Sequence, residues 1–131
     1  MILLDTSYLV ALFNQSDSQH VKAKEIQRKL AGQKLAVSEY VILELSTILA
    51  MRGDIQDARQ AITSLLESEE VRFIPCGSFF SVTLETMLSQ KKFKLSFVDC
   101  SVLVLLETGE AEKLVSFDAE LKAAAKKYLF A

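Results

Sequence analysis

Four acidic residues stand next to or within apolar runs: Asp5, Glu44, Asp99 and Asp118. Asp5 ends the run Ile2-Leu3-Leu4 and is followed by Thr6-Ser7. Glu44 lies within Tyr-Val-Ile-Leu-Glu-Leu-Ser-Thr-Ile-Leu, Asp99 within Ser-Phe-Val-Asp-Cys-Ser-Val-Leu, and Asp118 directly after Leu-Val-Ser-Phe. Each has an ordinary reading beside a chemical one. Asp5 is either a helix N-cap or a ligand at a strand end, with Thr6 or Ser7 as the alternative cap. Glu44 either reaches solvent from the edge of a helix face or meets a partner. On a helix, Glu39, Ser46 and Thr47 share an arc, and Glu44 falls roughly 60° beyond it. Asp99 is either a first-turn acid behind a Ser96 cap or a ligand, and at Asp118 the cap is either that residue or Ser116.

Should the four converge, their mutual repulsion requires compensation. Hard oxygen donors select Mg²⁺ or Mn²⁺. Such an ion lowers the pKa of a bound water and neutralises charge developing on a phosphodiester. Competing chemistries lack material. His20 is the only histidine, which leaves almost no material for a His base, Ser-His-Asp triad or zinc site. Cys76 and Cys100 show neither CxxC nor zinc spacing and read as reduced, half-buried packing residues, in keeping with a cytosolic compartment.

The elements that must position these acids follow from periodicity. Ile2 to Leu4, Leu35 to Val37, Val71 to Ile74 and Lys113 to Phe117 read as short buried strands. Helical patterns separate them. One begins at Thr6 and runs to Phe13; a second follows a Ser16/Gln19 capping box and packs Ala23, Ile26 and Leu30 inward. Others run from about Ser38 to Met51 with Gly53 as stop, and from Asp54 as cap with Ile55, Ala58, Ile62 and Leu65 on one stripe. The last three are expected near Ser78 to Gln90, near Ser96 to Thr108 with Gly109 as stop, and from Asp118 to about Lys127. Strands alternating with helices predict an α/β fold with a parallel sheet, whose site lies at the carboxyl ends of the strands. Asp5 and Asp118 are placed there by this reading.

The 131 residues form a single domain, 1–131, without linker, repeat or low-complexity segment. The opening MILLD is no signal peptide, and the longest uncharged apolar stretches fall far short of the roughly 20 residues of a membrane span. A soluble cytoplasmic protein is expected. A net charge of −2 gives no broad nucleic-acid footprint, so any RNA must be held by a local basic surface or a bound cation.

The same residues resemble PIN domains, particularly the VapC-like toxins of bacterial and archaeal toxin–antitoxin pairs. The resemblance rests on Met1 through Phe13, His20 with Ala23, Ser38 through Leu45 with Glu44, Ser96-Phe-Val-Asp99, and Leu114-Val-Ser-Phe-Asp118. It covers nearly the whole chain, in order. It implies a PIN-like three-layer fold with a central parallel sheet of four to five strands flanked by helices. It further implies that Asp5, Glu44 and Asp99 are the three central acids of a metal-dependent ribonuclease site, and Asp118 the fourth. Mg²⁺ or Mn²⁺ is the implied cofactor, RNA the substrate, and a cognate antitoxin and a homodimer the implied partners. Ser7 and Ser116 match positions where the family has Ser or Thr near the site; the alternative role for both is capping. Ser116 replaces the commoner Thr.

Two basic features are candidates for holding phosphate: Lys91-Lys92-Phe93-Lys94, otherwise a solvated loop, and Arg52. The rival readings are a non-catalytic PIN scaffold for RNA or protein, and a receiver domain. The latter wants an acidic pair after the first strand and an Asp after the third, where this chain has Ile74-Pro75-Cys76.

Overall fold

A computed structural model describes residues 1–130. Four strands, β1 (Ile2–Leu4), β2 (Leu35–Ser38), β3 (Val71–Ile74) and β4 (Lys113–Val115), form one all-parallel sheet in the order β3-β2-β1-β4. The helices are α1 (Thr6–Phe13), α2 (His20–Lys29), α3 (Glu39–Arg52), α4 (Ile55–Glu67), α5 (Phe80–Leu88), α6 (Phe97–Glu107) and α7 (Ala119–Ala124). Every residue of β1 and β2 is buried, so both faces of the sheet are covered at these two central strands. That is why these strands read as unbroken apolar runs rather than alternating ones.

The register fixes what the site needs. Leu4 stands beside Val115, and the Asp5 N–H donates to the Val115 carbonyl at 3.0 Å, carrying the ladder one residue past β1. The carboxyl ends of the central strand and of β4 therefore lie side by side. Beneath them, Leu3, Leu9, Val37, Leu45 and Leu105 are fully or almost fully buried, each contributing about 1.5–3 kcal/mol of transfer free energy. Every residue from Cys100 to Leu106 in α6 is buried, which explains its uninterrupted apolar stretch. Both cysteines are completely buried rather than half-buried.

Several boundaries depart from expectation. No Ser16/Gln19 capping box forms: the Asn14 Oδ1 accepts the Ser16 N–H at 3.0 Å and the Asp17 Oδ1 accepts the Gln19 N–H at 2.8 Å, so two successive side-chain turns delay the helix to His20. On α4, Ala58 and Leu65 are buried and Ile62 is half-buried, but Ile55 is exposed, because the first turn overhangs the packed face. The segment expected as one helix from Ser78 opens with a 3₁₀ turn, Gly77–Phe79. β4 is shorter than its pattern because the Ser116 hydroxyl accepts the Asp118 N–H at 3.0 Å and turns the chain. The last helix breaks at Ala125 and continues as a 3₁₀ turn, Lys126–Tyr128.

Candidate functional site

The carboxyl ends of β1 and β4 open into a cleft of about 460 Å³. Asp5, Glu44, Asp99 and Asp118 all line it, so residues spread over most of the chain meet in one place. Four elements deliver them: the β1–α1 junction, α3, the first turn of α6 and the β4–α7 junction.

Asp5 occupies the N-cap position of α1 yet makes no side-chain cap. Its Oδ2 instead accepts hydrogen bonds from the Ser7 and Ser116 hydroxyls, each at 2.8 Å. Ser7 Oγ also accepts the Phe117 N–H at 2.9 Å and stands 3.2 Å from Ser116 Oγ. The two serines thus form a clasp between the strand ends. The carboxyl of Asp5 is almost fully buried; desolvation raises its pKa, opposed by the hydrogen bonds from Ser116 and Ser7.

Asp99 takes the first-turn position of its capping reading and also lines the cleft. It completes a capping box with Ser96, whose Oγ accepts the Asp99 N–H at 3.1 Å while Asp99 Oδ2 accepts the Ser96 N–H at 3.3 Å. It also faces the cleft, where desolvation, followed by the charge of Asp5 and the smaller effect of Asp118, pushes its pKa up to about 6. Asp118 likewise does two things: its Oδ1 accepts the Leu121 N–H at 2.9 Å as an N-cap, and the residue borders the cleft. Glu44 is half-buried on α3, with Ile48 and Arg52 following at successive i+4 spacings along the same wall.

Asp17 and Thr6 are among the lining residues that sequence reasoning did not place at the site. Asp17 sits in Ser-Asp-Ser, a pattern indistinguishable from a solvated loop, and only the turn before α2 brings it to the cleft. Thr6 lines the cleft with a buried hydroxyl oxygen that finds no partner among the described residues. Arg52 borders the cleft, whereas the Lys91–Lys94 segment does not; Phe93 is partly buried against the core.

The donor set fits a hard cation. The cleft offers carboxylate and hydroxyl oxygens, without imidazole or thiolate among its lining residues, which is the chemistry of Mg²⁺ or Mn²⁺. Among the described residues no three acidic, His or Cys side chains converge tightly enough to form a ready-made ligand set. The acids share the cleft without closing on one point.

A short all-parallel sheet with acids gathered at its carboxyl edge defines a carboxylate-centred α/β domain. The chain belongs to the PIN domain family, which it matches over residues 2–127. Its structure is similar to that of Mycobacterium tuberculosis VapC20, a sarcin–ricin-loop-cleaving toxin, with a TM-score of 0.85, 25% identity and 95% of each chain covered. It also shares the fold of PAE2754 from Pyrobaculum aerophilum, with a TM-score of 0.67 and 21% identity over 98% of this chain and 87% of that one. No curated protein matches at the sequence level. No helix among the described residues is long and apolar enough to cross a membrane.

Proposed function

We propose that this PIN-domain protein is a Mg²⁺- or Mn²⁺-dependent endoribonuclease and the toxin of a toxin–antitoxin pair, acting in the cytoplasm. The observation that carries this is the gathering of Asp5, Glu44, Asp99 and Asp118 around one cleft, in a chain whose fold matches an RNA-cleaving toxin along almost its whole length.

Bound among these acids, the divalent cation supplies activation of water and neutralisation of charge on the scissile phosphodiester. The protein's part is positioning. Asp5, fixed through one oxygen by Ser7 and Ser116, presents its other oxygen in a defined direction. Asp118 is held in the same way, one oxygen committed to the α7 N-terminus and one left for the cleft. Desolvation and the neighbouring Asp5 charge push the Asp99 pKa up to about 6, so below that pH a cation held here would compete with its proton. Glu44 closes the α3 side, and Arg52 is the cation placed to hold a phosphate against so much negative charge.

Partners follow from the same reading. A cognate antitoxin protein would silence the cleft. A homodimer is supported by α5, which leaves Phe80, Leu84 and Leu88 at 50%, 38% and 75% exposure on one i, i+4, i+8 stripe. Phe80 packs at 5.5 Å on Phe97, which meets Tyr40 at 5.3 Å, so the stripe continues onto the α3 surface where Leu43 is also exposed.

The test is cleavage of a fluorogenic single-stranded RNA in Mg²⁺ or Mn²⁺ against EDTA, with Asp99→Asn as control. Metal-dependent cutting lost in the variant supports the nuclease. Absence of both cutting and metal binding overturns it in favour of a non-catalytic PIN scaffold.

A further inference from the structure

An RNA strand approaching this cleft meets mostly negative charge: Asp5, Asp17, Glu44, Asp99 and Asp118, against Arg52 alone among the lining residues. With a net charge of −2 the protein as a whole does not attract a polyanion either. Substrate affinity must therefore come from cations close to the cleft but outside it. A second depression, of about 430 Å³, runs between α2, β4 and the C-terminal segment and meets the cleft at Phe117, which lines both. Lys22, Lys29 and Lys122 line this groove, with Glu25 as the only acid among its lining residues.

The lysines are arranged along the groove rather than scattered. Lys22 and Lys29 lie on one face of α2, seven residues and about 10 Å of helix rise apart, and Lys122 approaches from α7. None of them is within ion-pair distance of a carboxylate among the described residues. Lys22 stands at the junction itself, its ammonium 6.0 Å from the centre of the Phe117 ring. Phe117 is braced on its inner side by Tyr8, with ring centres 5.9 Å apart. Its N–H donates to Ser7 Oγ, tying this wall to the clasp around Asp5.

We infer that the Lys22–Lys29–Lys122 groove is a single-strand RNA-binding track, in which the phosphates flanking the scissile bond run over Phe117 and along α2. This rests on the ribonuclease reading and adds to it the surface that supplies affinity. Electrostatic attraction and metal-dependent cutting are then divided between neighbouring regions: lysines hold the strand and carboxylates act on it.

The experiment measures binding of a labelled single-stranded oligoribonucleotide by anisotropy over a range of salt, in the Asp99→Asn background so that the strand stays whole. Lys22→Gln, Lys29→Gln and Lys122→Gln are combined in one variant. A control variant combines Lys91→Gln, Lys92→Gln and Lys94→Gln, removing the same charge elsewhere. Loss of three phosphate contacts flattens the slope of log K against log salt by about 2, with affinity falling roughly tenfold or more, whereas the control keeps the parent slope. Equal behaviour of the two variants overturns the track while leaving the nuclease reading intact. A parent that binds no RNA at any salt overturns both. Matching melting temperatures and circular dichroism exclude misfolding as the cause of a loss.

Discussion

Ser116 Oγ donates to Asp5 Oδ2 at 2.8 Å across a separation of 111 residues, so the last strand of the sheet holds in place the acid that ends the first. The same oxygen receives Ser7 from within its own helix. Ser116→Ala removes one of two hydroxyl donors to a buried carboxyl and costs about 1–3 kcal/mol. In calorimetry the melting temperature should fall by several degrees. Under the ribonuclease reading kcat should drop more than KM rises, and Ser116→Thr should restore both.

Asp99→Asn should stabilise the protein in the absence of metal. The Asp99 carboxyl has its pKa raised from 3.8 to about 6, so the folded state binds its proton more tightly than the unfolded state. The stabilising contribution is full below about pH 4 and is lost as the pH rises through about 6, leaving a penalty of up to roughly 3 kcal/mol at neutral pH. Asparagine removes the charge and keeps an acceptor for the Ser96 N–H. A rise of roughly 3–8 °C in melting temperature at pH 7 is expected, shrinking towards pH 4. A fall at pH 7 would sink the account of Asp99 as a carboxylate held in a desolvated cleft beside Asp5.

Divalent cation should reverse that penalty. At about a hundredfold excess over its Kd, Mg²⁺ or Mn²⁺ raises stability by roughly 2.7 kcal/mol, an increase that EDTA removes and that Asp99→Asn diminishes. Titration in weak buffer should show proton release on binding that is small at pH 7 and grows as the pH falls below about 6.

Arg52→Ala tests the one cation lining the acidic cleft. With an unpaired phosphate in its place, KM for RNA should rise roughly tenfold, equivalent to about 1.4 kcal/mol, with little change in kcat. An effect confined to kcat would assign Arg52 to the chemical step instead.

Gly109→Ala probes the fold apart from the site. Gly109 follows α6 at a φ of +81°, and a Cβ there meets nothing within 4 Å, so only backbone conformation opposes the change. A loss of about 1–2 kcal/mol is expected, seen as a lower midpoint in urea with an unchanged m-value.

Much of this was legible from residue order. Continuous burial gives Ile2–Leu4 and Leu35–Val37 the look of central parallel strands, and the Ser96/Asp99 spacing announces a helix start that the structure contains. The four acids were identifiable because each interrupts an apolar run, and all four line one cleft. What remained hidden depends on elements distant in sequence. Asp17 looks like loop solvent until the Asn14 and Asp17 turns reset the path into α2. Lys22, Lys29 and Lys122 are ordinary surface lysines until α2 and α7 flank β4. The shortening of β4 arises from a single hydroxyl, Ser116, whose pull on the backbone no hydropathy pattern reports.

The pairing of Leu129 with Leu114 beside β4, secured by the Phe130 N–H on the Leu114 carbonyl at 2.9 Å, also affects how the protein behaves at high concentration. At Leu114 that border of the sheet is taken up by Leu129 and Phe130, which leaves less backbone free to pair with a strand from another molecule. The opposite border, β3, has no such cover and exposes Phe73 beside Arg72. Self-association through strand addition is thereby favoured on that side of the molecule, where the arginine's charge acts as a gatekeeper against it.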